Sequence, residues 1–141
     1  MALLIDNEHD HPLPLDIMER IAKQYSERDI ELLIVDDETI QHINAEHRGY
    51  DKPTDVLSFP MEDMPFAPLG SMVISYDHVR QGAKTFGHTP DDELLLLFIH
   101  GLLHLVGYDH ECDEGDMRQE EEKLIAQLGL PASLIVRSQE D

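Results

Sequence analysis

One cysteine, Cys112, stands in the whole chain, so no intrachain disulfide can form and the sequence suits a reducing compartment, the cytoplasm. Long apolar runs are missing as well. The apolar block at 94–106 is shorter than the roughly 20 residues that span a bilayer and contains two histidines, so no membrane partner is expected. No basic region followed by an apolar run opens the chain, and a secretory signal is not expected. Internal repeats, low-complexity tracts and signs of a second domain are lacking too. The 141 residues read as a single domain, 1–141, long enough to bury a core, with 132–141 as a loose tail. Basic residues are the scarcest class with a consequence. Ten Lys and Arg against 30 Asp and Glu give a formal charge of −20, which repels a phosphate backbone at long range and argues against a nucleic-acid partner. Much of the acid is concentrated between Asp109 and Glu122, however, while Arg48 and Lys52 share one segment and Arg80 and Lys84 one face of an expected helix. A local positive cleft is compatible with the total.

What the chain does have is concentrated between Thr89 and His110. Thr89 suits a helix N-cap, Pro90 the first helical position, and Asp91, Asp92 and Glu93 set negative charge against the positive end of the helix dipole. From Leu94 to Val106 the residues are apolar on every side except at His100, Gly101 and His104, which predicts a helix through the core. Residues four apart on a helix share a face, so His100 and His104 can offer two nitrogens to one ion. Gly107 can take the left-handed conformation that stops the helix, and the returning chain then brings His110 near the pair. Three neutral imidazoles with a fourth position left for water is the arrangement of catalytic zinc, whereas structural zinc takes four protein ligands. Taken singly, each histidine reads better as a satisfied core residue. The trio at chelating spacing reads as a metal site, with Cys112 a bystander. The spacing His-x3-His-x5-His also matches the metzincin proteases, H-E-x-x-H-x-x-G-x-x-H. Gly101 stands where those enzymes carry their general base, so peptide hydrolysis by that route is not expected.

The remaining elements are shorter. Leu3–Ile5 reads as a strand and 9–12 as a loop whose His9 and His11 are surface histidines. Leu15 to Glu27 has one apolar stripe and predicts an amphipathic cover helix. Ile30–Val35 predicts a strand, Asp36 and Asp37 the start of a helix reaching His47, and Val56–Phe59 the next strand. Met61–Leu69 reads as a flap beside the site or a plain connection; Met72–Ser75 follows as a fourth strand. Asp77 is expected to cap a helix that stops at Gly87, with His78 and His88 solvated at its flanks. A last helix runs from Asp113 to Leu128 with an acidic face. The fold class is α+β: about four strands in one sheet flanked by helices, with a buried central helix carrying the histidine motif.

Two runs resemble the YbeY family of bacterial endoribonucleases, or rRNA maturation factors. One is His-Gly-Leu-Leu-His-Leu-Val-Gly-Tyr-Asp-His at 100–110. The other, 44–60, contains Arg48, Asp51, Pro53, Thr54, Asp55, Val56, Leu57, Ser58 and Phe59, similar to the family's N-x-x-x-R-x-x-D-x-P-T-D-V-L-S-F segment. The resemblance implies a mixed sheet and a single-strand-specific, metal-dependent endoribonuclease in 16S rRNA 3′-end maturation and ribosome quality control. It also implies a bound metal on His100, His104 and His110, which the three-imidazole arrangement makes one zinc ion per chain, with Arg48 as the functional arginine and RNA within the ribosome as partner. Ribosomal proteins or assembly factors are further partners it allows; DNA is not expected. One position departs from the pattern, since the family's later G-[DE]-x-x-I-S strand carries an acid where this chain has Ser71. Two other readings stand beside this one: a non-nucleolytic zinc-binding assembly factor, better suited to the acidic surface, and a metallohydrolase of another substrate class. Three imidazoles also accept nickel, cobalt or copper.

Overall fold

The computed structural model describes residues 1–62, 64–109 and 113–130. His110, Glu111, Cys112 and the tail expected at 132–141 lie outside the described residues. Strands Leu3–Asn7 (β1), Ile30–Val35 (β2), Val56–Pro60 (β3) and Gly70–Ser75 (β4) form one sheet in the order β1-β2-β4-β3. β1, β2 and β4 are parallel, and β3 pairs antiparallel with β4 at the edge. Pro60 ends that edge strand, where its missing N–H breaks no inner ladder. The pleat sorts the side chains: Ile30, Leu32, Ile34, Met72 and Ile74 enter the larger core on one face, while Val35 and Val73 join Ile40 and Leu57 in a smaller one. The sheet is therefore mixed and covered on both faces, as the α+β expectation required.

Five helices complete the fold: Leu15–Lys23 (α1), Asp37–Arg48 (α2), Tyr76–Phe86 (α3), Pro90–Leu105 (α4) and Asp116–Leu128 (α5). α4 packs against α1, α3, α5, β3 and β4. Its leucines, Phe98 and Ile99 are buried around the whole circumference, so it forms the middle of the larger core. Each such side chain contributes about 1.5–3 kcal/mol on leaving water, which is why an apolar helix with two histidines is stable there.

Several local expectations shift. α1 ends at Lys23, four residues before Glu27. Ser75, rather than Asp77, caps α3 by accepting the His78 N–H; Asp77 instead accepts the Asp37 N–H at 2.9 Å and ties α3 to α2. α5 begins at Asp116, and Asp113 lies ahead of it as a turn residue accepting the Gly115 and Met117 N–H groups. The β3–β4 connection is fastened down: the Arg28 guanidinium donates to the carbonyls of Ala67 at 3.2 Å and Glu62 at 2.8 Å. His88 is not solvated but 8% exposed, with Nε2 2.7 Å from Oε1 of buried Glu93, a carboxylate that needs such a partner in the core. His78 pairs with Asp37 at 2.6 Å.

Candidate active site

Thr89 caps α4 by accepting the Asp92 N–H, as its sequence predicts. At the other end Gly107, at φ 104°, donates to the His104 carbonyl, and Tyr108 donates to the Leu103 carbonyl. This pair of bonds is a Schellman stop, available because glycine takes a positive φ without a Cβ clash. The stop has a chemical result. It turns the Tyr108 carbonyl back over the last turn of α4, where it lies 3.0 Å from Nδ1 of His104. A carbonyl only accepts, so Nδ1 of His104 carries the proton and Nε2 presents a lone pair.

His100 is fixed in the same way by a different partner. Its Nδ1 lies 3.0 Å from Oε2 of Glu121, whose side chain is 1% exposed. A carboxylate there favours the Nδ1–H tautomer and leaves Nε2 as the donor of a lone pair. The two Nε2 atoms converge to 3.2 Å. Two ligands of one tetrahedral zinc ion, with Zn–N bonds of about 2.0–2.1 Å, stand about 3.3 Å apart. The donor types, their orientation by outer partners and their separation all fit a divalent ion of the zinc class.

Both imidazoles line a cleft of about 580 Å³ together with Arg48, Asp55, Ser58 and Tyr108. Arg48 is the last residue of α2 and reaches this cleft from the opposite element. Among the described residues it forms no ion pair; Asp51 receives the Gln41 amide at 3.1 Å, and Asp55 accepts the Val56 N–H at 2.7 Å. The arginine is thus not engaged by the two neighbouring acids in its own segment, and Thr54 and Asp55 brace the turn before β3 as expected.

Gly101 points elsewhere. A Cβ there would stand 2.8 Å from the Met72 sulfur and 3.0 Å from Oγ of Ser58, which itself donates to the Gly101 carbonyl at 2.9 Å. The glycine lets α4 lie close on the sheet, so the position where the metzincins hold a base has no room for one. Ser71 donates to Oε2 of Glu31 at 2.8 Å, so the carboxylate beside that strand comes from its register partner on β2.

Of the residues singled out from sequence, Arg48, His100 and His104 share one cleft, and His110 lies outside the described residues. Glu121 went unread in the sequence. Its signal was there: Met117, Glu121 and Leu124 occupy one helical stripe, and all three are buried. A second group, Glu8, His9 and Asp36, places three potential ligand atoms within 4.8 Å of one another. No described helix is long and apolar enough to cross a membrane.

With this geometry in place, comparison with known proteins is specific. The sequence profile described as "Endoribonuclease YbeY" matches residues 7–129. A protein of that name from Sulfurovum sp. is 55% identical, with 95% of each chain covered. One from Nautilia profundicola is 53% identical, covering 96% of this chain and 97% of the relative. The solution structure of TM1509 from Thermotoga maritima superposes with a TM-score of 0.63 at 30% identity, over 87% of this chain and 85% of that one.

Proposed function

Since this chain belongs to the endoribonuclease YbeY family, we propose that it is a zinc-dependent, single-strand-specific endoribonuclease acting in 16S rRNA 3′-end maturation and ribosome quality control in the cytoplasm. The observation that supports this most is that His100, His104 and Arg48 line one cleft, with the two imidazole Nε2 atoms 3.2 Å apart. Cleaving RNA places added negative charge on a phosphate already anionic, so the site needs fixed positive charge. Arg48 provides a planar fork suited to two non-bridging oxygens at once. Glu121 and the Tyr108 carbonyl hold the imidazoles in the tautomer that binds a cation, so little reorganisation is left for the moment of reaction. His110 is the third ligand in this reading. When bound, the ion supplies Lewis-acid polarisation of a phosphoryl oxygen or a water of lowered pKa. The charge of −20 sets the affinity: binding to RNA should be weak and fall steeply with salt.

The test is cleavage of a single-stranded oligoribonucleotide and of its duplex by the parent and by Arg48→Glu, with zinc content measured in both. The reading predicts zinc in both proteins and cleavage only of the single strand by the parent. Equal cleavage by Arg48→Glu contradicts the role given to the arginine.

A further inference from the structure

Beside the cleft stands an aromatic ring that no step so far uses. Tyr50 is 52% exposed. The Arg48 guanidinium carbon lies 5.6 Å from its ring centroid and the Lys52 amine 5.7 Å. Two of only ten basic residues in the chain therefore flank one exposed ring, and one of the two also lines the cleft. Among the described residues neither cation forms an ion pair.

The loop that carries Tyr50 is held in place. Gly49, at φ 76°, ends α2, and Tyr50 N–H returns to the Asn44 carbonyl at 3.4 Å. The Asn44 amide, on a residue 2% exposed, donates to the Lys52 carbonyl at 2.9 Å. Gln41 fastens Asp51 from the same helix. A large side chain is thus kept half in water on a braced loop, where burial gives no reason for it.

Exposed aromatic rings set between cations along a phosphate path are how sequence-tolerant proteins hold single strands: the ring stacks a base while the cations take the neighbouring phosphates. We propose that Tyr50 is a base-stacking subsite for the nucleotide next to the phosphate held by Arg48, with Lys52 on the following phosphate. This rests on the ribonuclease reading and adds to it a reason for single-strand preference, because a base paired in a duplex cannot lie on the ring.

The chain contains no tryptophan, so Tyr50→Trp introduces a unique fluorophore at the subsite. Metal-loaded parent, Tyr50→Ala, Tyr50→Phe and Tyr50→Trp are titrated with a 2′-O-methyl oligoribonucleotide, checked intact by gel, and with versions carrying one abasic residue at successive positions. Loss of one stack should weaken binding of Tyr50→Ala about 5- to 150-fold, while Tyr50→Phe and Tyr50→Trp bind like the parent. Tyr50→Trp fluorescence should be quenched on binding. One abasic position should weaken the parent and leave Tyr50→Ala unchanged. Parent-like binding by Tyr50→Ala together with no quenching in Tyr50→Trp overturns the subsite while leaving the ribonuclease reading intact. Absence of binding by the parent overturns the ribonuclease reading and the subsite together.

Discussion

Two clefts among the described residues each carry a pair of histidines, and they differ in what stands behind the imidazoles. At the end of α4, His100 and His104 each have Nδ1 fixed by a partner, Glu121 or the Tyr108 carbonyl, so that both Nε2 atoms meet at 3.2 Å. Where β1, β2 and β4 end, a second cleft of about 520 Å³ is lined by His9, His11, Asp36 and Arg80 among others. There His9 is 53% exposed and turns Nε2 to Glu8 at 3.3 Å and Asp36 at 3.5 Å, while His11 stacks on Tyr76 with centroids 3.8 Å apart. Burial and the Arg80 charge lower the His11 pKa, which disfavours the charged imidazolium beside the aromatic face. Asp36 is occupied too, as the N-cap of α2. In the second cleft Glu8, His9 and Asp36 also bring three ligand atoms within 4.8 Å of one another, but on an exposed imidazole and a carboxylate shared with a helix cap; in the first, outer partners fix both Nε2 atoms. Orientation by outer partners, more than the number of imidazoles, separates the two.

The comparison can be broken most sharply at His104. His104→Ala should reduce zinc affinity and cleavage by more than the roughly 10–100-fold typical of losing an outer partner, whereas His9→Ala should change neither; metal titration and RNA cleavage read both. Arg48→Glu should lower cleavage by about 10²–10³-fold, the scale of removing one charge-stabilising donor, with zinc content unchanged. Glu121→Gln probes the outer partner directly and should weaken zinc about 10–100-fold in competition with a chelator. Gly101→Ala should cost about 1–3 kcal/mol of stability in urea denaturation, because its Cβ meets Met72 and Ser58.

The smallest effect belongs to the second cleft. Asp36→Ala should cost about 1 kcal/mol through the lost cap and leave cleavage intact. Its pH dependence has a definite sign. The Thr39 backbone N–H holds the Asp36 carboxyl below its usual pKa, so the stabilisation is complete above the unfolded value and is lost as pH falls through the lowered one. The stability difference between parent and Asp36→Ala should therefore be present at pH 6 and shrink in acid.

Most of this was legible in the sequence where one residue type has one physical use. Thr89, Pro90 and Gly107 mark the ends of α4 because caps and positive φ admit few alternatives, and the i, i+4 histidines follow from helix geometry alone. Long-range partners were less legible. Glu121 lies 21 residues from His100 on another helix, and only its place in an apolar stripe hinted at burial. His88 looked like a surface residue because nothing local reveals that Glu93 would be buried against it. Gly101 was read as a missing base; the packing of α4 on Met72 and Ser58 gives it a structural purpose that appears only when the sheet is in place.

The most direct test of the central claim is zinc stoichiometry by elemental analysis on parent, His104→Ala and His9→Ala proteins purified identically, paired with cleavage of a 16S rRNA 3′-end fragment. One ion and cleavage in the parent and in His9→Ala, with neither in His104→Ala, is the predicted result. Retention of both ion and cleavage in His104→Ala, or their loss in His9→Ala, would contradict the assignment of the working site to the end of α4.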